Sequence, residues 1–303
     1  MNKSVIVTGG EGFIGSHLVD HLVNEGKTVY VIDDESAESN EKFYKNPKAT
    51  YFNFSITNLS AVPHSIFKES ETIYHLAAES RIGPAIKNPI KAVETNVLGT
   101  TILLQLAAEF GIEKFIYSST SSVYGLRYYG PVHENSAIDC LNPYSASKYA
   151  GEEMVRMYDR SRKIKTCILR YFNVFGERSP TKGQYAPVIG LFLKAKKANA
   201  SLKIVGDGEQ RRDFVHVYDI VQANIKANIS LSTNVLVHGE VYNIGSGINH
   251  SINQIASAIS ENVEYIPERE GEARHTLANI YKAQKELGYA PEIDVMEWIK
   301  KNL

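Results

Sequence analysis

Three glycines close to the N-terminus constrain this chain more than any other feature. Gly9, Gly12 and Gly15 directly follow the apolar run from 4 to 8. A short continuous apolar run is typical of a strand that is buried on both faces. Residues 14–24 then carry apolar side chains at helical spacing. A strand, a glycine-rich turn and a helix in this order predict the first unit of a parallel α/β sheet.

The same segment predicts a site for a dinucleotide. Its glycines allow a tight turn and close approach of a pyrophosphate, and the N-terminus of the helix predicted over 14–24 presents free N–H groups to phosphates, with Phe13 and Ile14 at the cofactor. A second β-rich run, 28–32, ends in Asp33. A carboxylate there accepts hydrogen bonds from ribose hydroxyls and repels a 2′-phosphate, which favours NAD over NADP. Asp34 is either a second contact to the cofactor or a turn cap.

Strand and helix patterns alternate over the first two-thirds of the chain. This alternation predicts an α/β fold with a doubly wound parallel-sheet Rossmann domain over residues 1–173. After Asn173 the segments are shorter and richer in Gly and Pro, which predicts a smaller C-terminal α/β substrate-binding domain over 174–303. A segment near 215–245 is expected to return to the first domain. The further strands are predicted at 50–53, 72–75, 114–118 and 165–169, and the long helices at about 91–109 and 145–162.

Composition excludes several classes of protein. The chain is 43% hydrophobic and 22% charged with a net charge of −1, so nothing indicates binding to nucleic acid or to an anionic membrane. Cys140 and Cys167 lack metal-like spacing and are read as free thiols, and no metal is expected. There is no signal-peptide pattern, and no apolar run approaches the roughly 20 residues that span a membrane. We therefore expect a soluble cytoplasmic protein.

A candidate catalytic pair lies at Tyr144 and Lys148. Asn142 can cap a helix and Pro143 suits its first position, so the pair shares one helical face at i and i+4. A nearby ammonium and a positive nicotinamide ring both stabilise a phenolate. Lowering a tyrosine pKa from ~10 toward ~7 takes about 4 kcal/mol and creates a base for a hydroxyl proton. The hydroxyl-rich run 118–122 follows a predicted strand, where ligand sites of parallel sheets form.

Six motifs in this order resemble the extended short-chain dehydrogenase/reductase family. Within that family they are most similar to the nucleotide-sugar epimerases and dehydratases, and they cover nearly the whole chain. The motifs are the N-terminal glycines, His75-Leu76-Ala77-Ala78, Asn96-Val97-Leu98-Gly99-Thr100, the hydroxyl-rich run, Tyr144-x-x-x-Lys148 and Arg170-Tyr171-Phe172-Asn173.

The resemblance implies a role for each catalytic residue. Thr120 would hydrogen-bond the sugar O4, Tyr144 would be the general base, and Lys148 would bind the nicotinamide ribose and lower the tyrosine pKa. Relatives often carry Asp where this chain has Ser55, and Asn96 is alternatively a satisfied internal amide. The further residues implied to line the NAD are Ser55, Ile56, Leu76, Ala77, Ala78, Asn96 and Phe172.

The resemblance also implies a site for a UDP-sugar. Arg212 and Arg269 match two diphosphate clamps, and planar guanidinium groups suit bidentate phosphate binding. Asn173 matches an amide that contacts the diphosphate. Thr276 matches a position where a bulky side chain excludes N-acetyl groups, so N-acetylated hexoses are expected beside UDP-glucose and UDP-galactose. Helices 91–109 and 145–162 pair across a dimer in relatives, which implies a homodimer.

Ser122 favours one reaction over its rivals. Hydride removal can be followed by return to the opposite face, by loss of water or by loss of carboxylate. The family's dehydratases and decarboxylase carry an acid two places after the catalytic Thr, where this chain has Ser122. A serine cannot take a carbon-bound proton near pH 7. We therefore expect Ser122 in the sugar site of a C4 epimerase that forms a transient 4-keto intermediate.

Several alternatives stay open at this point. They are a UDP-glucuronate 4-epimerase, another nucleotide-sugar dehydratase or reductase of the family, an oxidoreductase that consumes NAD(H), and a binding protein without activity. The paired arginines argue against substrates that lack a diphosphate. The presence of both Tyr144 and Lys148 argues against a protein without activity.

Overall fold

A computed structural model describes residues 4–37, 40, 42–126, 130–161, 163–182, 186–268 and 273–303. The strands are β1 (Ser4–Thr8), β2 (Val29–Asp33), β3 (Thr50–Asn53), β4 (Ser70–His75), β5 (Lys114–Thr120), β6 (Lys165–Tyr171), β7 (Asn173–Phe175), β8 (Leu202–Val205), β9 (Arg211–His216), β10 (Glu240–Ile244), β11 (Asn249–Ser251) and β12 (Val263–Ile266). The helices are α1 (Phe13–Asn24), α2 (His64–Glu69), α3 (Ile82–Lys87), α4 (Pro89–Val93), α5 (Thr100–Phe110), α6 (Pro143–Arg160), α7 (Val188–Lys197), α8 (Val217–Thr233), α9 (Ile252–Ile259), α10 (Tyr281–Leu287) and α11 (Val295–Asn302).

A seven-stranded parallel sheet forms the centre of the protein. Its strand order is β10-β6-β5-β4-β1-β2-β3, and every pairing in it is parallel. This is the doubly wound arrangement with helices on both faces, so the predicted fold class is confirmed. β10 reaches the sheet from late in the chain and pairs with β6 in the register Glu240 to Cys167. Two small sheets, β11-β9-β7 and β12-β8, complete the molecule.

Buried apolar side chains explain why the sheet has two covered faces. Alternate residues of β1 point to opposite sides: Val5 and Val7 pack in one apolar cluster with α1 and α8, and Ile6 packs in another with α2 and α5. A third cluster joins α7, α9 and α11 to β8 around Phe192 and Ile255. No helix within the described ranges is long and apolar enough to cross a membrane.

The predicted strands are present, but the helix expected at about 91–109 is not regular. Between α4 and α5 the chain forms a π-helical segment, Glu94–Gly99. Such segments are frequent at functional sites because they insert one residue into the helical ladder. A Cβ at Gly99 would lie 2.6 Å from the end of the Ile56 side chain, so a larger residue there would require Ile56 to move. β5 extends two residues beyond its predicted end, to Thr120.

Candidate active site

A large cleft of about 660 Å³ lies at the carboxyl ends of the parallel strands. Residues from the second part of the chain, after Phe172, form its other wall. It brings together nearly all the residues that the sequence analysis selected. Ser55 and Asn96 are not among the lining residues, and Arg269 lies outside the described residues. The selected residues that line the cleft are Gly9, Gly12, Phe13, Ile14, Gly15, Asp33, Asp34, Ile56, Leu76, Ala77, Ala78, Thr120, Ser122, Tyr144, Lys148, Phe172, Asn173, Arg212 and Thr276.

Glycine occupies the three positions of the first turn for different physical reasons. Gly9 adopts φ +68°, and a Cβ there would lie 2.6 Å from the backbone nitrogen of Ala77. A Cβ at Gly15 would lie 2.1 Å from the carbonyl oxygen of Gly9. At Gly12 the nearest described protein atom would be 3.4 Å away, so no close protein contact requires a glycine there. Gly12 begins α1 at the edge of the cleft, and this bare helix N-terminus fits the pyrophosphate of a dinucleotide.

Asp33 is held at the end of β2 by two backbone donors. Its Oδ2 accepts a hydrogen bond from Glu11 N and its Oδ1 one from Glu35 N, both at 2.9 Å. Burial raises the pKa of Asp33, and these N–H groups oppose that rise. The Asp34 carboxylate accepts from the backbone N–H of Ser36 at 3.1 Å, so it caps a turn while it also lines the cleft. The carboxylate acceptors at this end of the cleft suit the ribose hydroxyls of NAD.

The helix that carries Tyr144 and Lys148 begins as the sequence predicts. Asn142 Oδ1 accepts a hydrogen bond from Ser145 N at 2.9 Å, and Pro143 occupies the first turn of α6. Lys148 is buried and Tyr144 is partly buried, and both line the cleft. The hydroxyl of Thr120, at the end of β5, hydrogen-bonds the Tyr144 phenol. Two elements, β5 and α6, therefore bring the three candidate catalytic groups to the same part of the cleft.

The charge state of Tyr144 differs from the expectation. Burial raises the pKa of Tyr144 above its usual value, although the Thr120 hydrogen bond and the charge of Arg81 act in the opposite direction. Burial also lowers the pKa of Lys148 to about 7, against the effect of Glu152. The protein groups alone therefore do not lower the tyrosine pKa toward 7, because the effect of burial outweighs the Thr120 hydrogen bond and the Arg81 charge. The positive nicotinamide ring of bound NAD is the remaining contribution.

Asn96 and Ser55 do not line the cleft, and their side chains bind other parts of the protein. Asn96 Oδ1 accepts from Glu79 N at 2.9 Å, and its Nδ2 donates to Glu79 O at 3.0 Å and to Ser147 Oγ at 2.9 Å. It is a satisfied internal amide, as the alternative interpretation had it, and it ties the loop after β4 to α6. The Ser55 hydroxyl lies 2.9 Å from Thr57 Oγ1, next to the cleft residue Ile56.

Asn173, Thr276 and Arg212 meet at the opposite wall. Asn173 Nδ2 donates to Asp213 O at 3.0 Å and to Thr276 Oγ1 at 3.1 Å, so both amide N–H groups are engaged. A contact between this amide and a diphosphate requires one of these bonds to exchange. Arg212 Nη1 donates to the carbonyl of Arg211 at 3.0 Å, and the Arg212 side chain reaches the cleft.

Several lining residues were not selected from the sequence. They belong to the irregular segment between β2 and β3 and to the second part of the chain, where no short motif signals a binding role. Their positions in the cleft become visible only when these segments fold over it. The residues are Asn40, Phe43, Phe192 and Gln210.

Comparison with known proteins defines the class of this enzyme. The family model for GDP-mannose 4,6 dehydratase matches residues 6–302. The chain belongs to this family of NAD-dependent epimerases and dehydratases, a branch of the extended short-chain dehydrogenases/reductases, as predicted.

Several of the relatives are epimerases, and another is a UDP-N-acetyl-alpha-D-glucosaminuronate decarboxylase of Bacillus cytotoxicus. The chain is 38% identical to a putative UDP-glucose 4-epimerase of Methanocaldococcus jannaschii, over 98% of this chain and 96% of the relative. It is similar to the structure of a UDP-N-acetylglucosamine 4-epimerase of Methanobrevibacter ruminantium M1 in complex with UDP-N-acetylmuramic acid, with a TM-score of 0.90, 32% identity and coverage of 99% and 97%. It is also similar to the structure of a UDP-glucuronic acid 4-epimerase of Bacillus cereus in complex with UDP-glucuronic acid and NAD. The TM-score is 0.85 and the identity 30%, and the match covers 98% of this chain and 96% of the relative.

These relatives and the cleft together establish the class of reaction that the enzyme catalyses. The protein is an NAD-dependent isomerase of the nucleotide-sugar 4-epimerase group. Its predicted cofactor, NAD, is confirmed.

Proposed function

We propose that this enzyme interconverts UDP-sugars at C4, with UDP-glucose and UDP-galactose and their N-acetyl forms as substrates. One observation carries the choice of reaction. Within the described residues, the carboxylates that line the cleft are Asp33 and Asp34, both at the glycine-turn end. At the other end, beside Thr120 and Tyr144, the cleft has Ser122 where a dehydratase would need a carboxylate to take a carbon-bound proton. Epimerisation needs no such acid, because only a hydroxyl proton and a hydride move.

The protein groups have separate tasks in this reaction. Tyr144 takes the proton of the sugar O4 hydroxyl and later returns it, while Thr120 hydrogen-bonds the same oxygen. Lys148 binds the nicotinamide ribose from one turn further along α6. NAD bound at this site would supply the redox chemistry, as the acceptor and donor of the C4 hydride. The 4-keto sugar must present its opposite face before the return, so the wall formed by Asn173 and Thr276 has to hold the nucleotide while the sugar turns.

Thr276 supports acceptance of N-acetylated sugars. Its hydroxyl accepts from Asp213 N at 3.2 Å and from Asn173 Nδ2, so the small side chain is turned to the protein. Its place in the cleft therefore leaves room beside the sugar. A second candidate substrate is UDP-glucuronate. The observation that favours it is Arg81, a cation in the cleft whose charge acts on Tyr144.

A panel of nucleotide sugars tests these proposals. We expect the purified enzyme to invert C4 of UDP-glucose and UDP-N-acetylglucosamine without net formation of NADH, as read by NMR of the product and absorbance at 340 nm. UDP-glucuronate belongs in the same panel. Tyr144→Phe should retain NAD and lose turnover, because it removes only the phenolic oxygen. Turnover of UDP-glucose without any turnover of UDP-N-acetylglucosamine would contradict the role of Thr276, and an active Tyr144→Phe enzyme would contradict the assigned base.

We also propose a homodimer. Large apolar side chains are exposed along α4, the π-helical segment and α6; Ile90 is 70% exposed, and Val93, Leu98 and Met157 are about half exposed. Exposed apolar side chains on packed neighbouring helices indicate an interaction site, and a second copy would cover them with the same surface. Light scattering should give about twice the mass of the chain, and Leu98→Asp should lower it to that of one chain.

A further inference from the structure

The Lys148 ammonium is in an unfavourable place for a charge. The residue is 3% exposed, and burial lowers its pKa to about 7. The proposed function, on which this inference rests, needs Lys148 charged beside Tyr144 and the cofactor. The groups that favour its protonated form therefore decide how much of the enzyme is active near neutral pH.

Tyr117 lies directly under this ammonium. Lys148 Nζ is 4.2 Å from the centroid of the Tyr117 ring, inside the ~6 Å range in which a cation is attracted to an aromatic face. The Tyr117 hydroxyl donates to the carbonyl oxygen of Lys148 at 3.2 Å. Gly151 makes this approach possible, since a Cβ there would lie 2.3 Å from the Tyr117 hydroxyl oxygen. β5 and α6 are thus shaped to place the ring against the lysine.

Other charged groups near Lys148 are already compensated or neutral. Glu152 favours the protonated lysine, but its carboxylate accepts Arg170 Nε at 2.9 Å, Arg170 Nη2 at 2.6 Å and Ser119 Oγ at 2.5 Å. On β4, His75 has a pKa held well below its usual value by burial and by the Lys148 charge, so it is neutral. Tyr144, on the same helix, has a raised pKa and is neutral too. The ring face therefore supplies attraction that these groups do not.

We propose that Tyr117 is a positioning residue for the reaction: its ring face seats the Lys148 ammonium and keeps it charged. Tyr117 is not a second base, because burial raises its pKa well above 10. Its aromatic face contacts the ammonium, while its hydroxyl interacts with the Lys148 carbonyl and with the Thr100 side chain.

Two substitutions separate the ring from the hydroxyl. Tyr117→Phe keeps the ring, and Tyr117→Met keeps much of the volume but has no aromatic face. Without that face the charged form of Lys148 loses stabilisation, so its pKa falls by about one unit. The alkaline limb of the kcat–pH profile of the NAD-loaded enzyme should move to lower pH by the same amount. Tyr117→Phe should keep the wild-type limb within a few tenths of a unit.

The matched control is Tyr74→Met. Tyr74 is also a fully buried tyrosine of the central sheet, but it packs in the other apolar cluster, away from Lys148. Tyr74→Met should lower thermal stability less than Tyr117→Met, because the Tyr74 hydroxyl is buried without a hydrogen-bond partner among the described residues, and it should leave the limb unmoved. A wild-type alkaline limb for Tyr117→Met overturns the proposal, as does an equal shift for Tyr74→Met.

A second measurement does not depend on turnover. In protein labelled with ¹³C-lysine, the Lys148 Cε resonance is identified by its loss in Lys148→Arg and then titrated by NMR. We expect the titration midpoint to fall by about one unit in Tyr117→Met and to stay in Tyr117→Phe. An unmoved midpoint in Tyr117→Met refutes the inference. An enzyme that epimerises no UDP-sugar but shows the shifted midpoint refutes the proposed function instead.

Discussion

Gly15→Ala should lower the stability of the protein, whereas Gly12→Ala should lower its affinity for NAD. At Gly15 the new Cβ would lie 2.1 Å from Gly9 O and 2.8 Å from Gly10 Cα, and backbone atoms cannot rotate away. We expect a cost of about 3 kcal/mol, the upper end of the range for overpacked sites. At about 2.1 cal/mol/K per residue, 303 residues give roughly 0.6 kcal/mol/K, so Tm should fall by about 5 °C.

Gly12→Ala should leave stability almost unchanged. Its φ of −77° suits any residue, and the nearest described protein atom is 3.4 Å from the added Cβ. Alanine restricts the unfolded chain, which gains about 0.4–1 kcal/mol, but it is a poorer N-cap than glycine by a similar amount. The methyl group stands where the pyrophosphate must approach, so NAD affinity should fall at least about tenfold, or 1.4 kcal/mol.

The assay has two readouts on each variant. Thermal unfolding is followed by circular dichroism on protein stripped of NAD, and the NAD dissociation constant is measured by calorimetry. Gly130→Ala is the control, because a Cβ there has no described neighbour within 4 Å and should change neither quantity. Wild-type NAD affinity in Gly12→Ala, or wild-type Tm in Gly15→Ala, would refute the reasoning.

Three further changes test other parts of the site. Arg81→Gln removes a charge that favours the Tyr144 phenolate, so the pKa of Tyr144 should rise and the acid limb of kcat should move to higher pH; a limb that stays in place would contradict this. Arg170→Met leaves the Glu152 carboxylate buried without its partner and should cost about 3–5 kcal/mol in urea denaturation, whereas a cost under about 1 kcal/mol would show that the pair is not needed. Thr276→Tyr should lower kcat/KM for UDP-N-acetylglucosamine at least about tenfold and spare UDP-glucose, since a bulky ring fills the space for the N-acetyl group; equal losses on both sugars would refute this.

Much of the cofactor half could be predicted because its signals are local. Gly9, Gly12 and Gly15 belong to one turn, and the needs of that turn for a positive φ or a missing Cβ are properties of neighbouring residues. Asp33 follows from the end of the next strand. Tyr144 and its partner one turn later share a helical face by the geometry of the helix alone.

The rest depends on contacts between distant segments. The Asn96 side chain forms its hydrogen bonds with the loop after β4 and with α6. The position of Asn96 within a helical pattern does not reveal these partners. The pKa of Tyr144 was expected near 7, but burial in the folded protein raises it. The pairing of Asn173 with Thr276 joins residues 103 apart.

By itself, the sequence determined the class of fold, the glycine turn after β1 and the shared helical face of Tyr144 and Lys148, because each rests on residues within one strand, turn or helix. Only the tertiary structure decided how charged that pair is. Burial and the aromatic face of Tyr117 act on Lys148 from another strand, and their strength depends on distances that no sequence spacing sets.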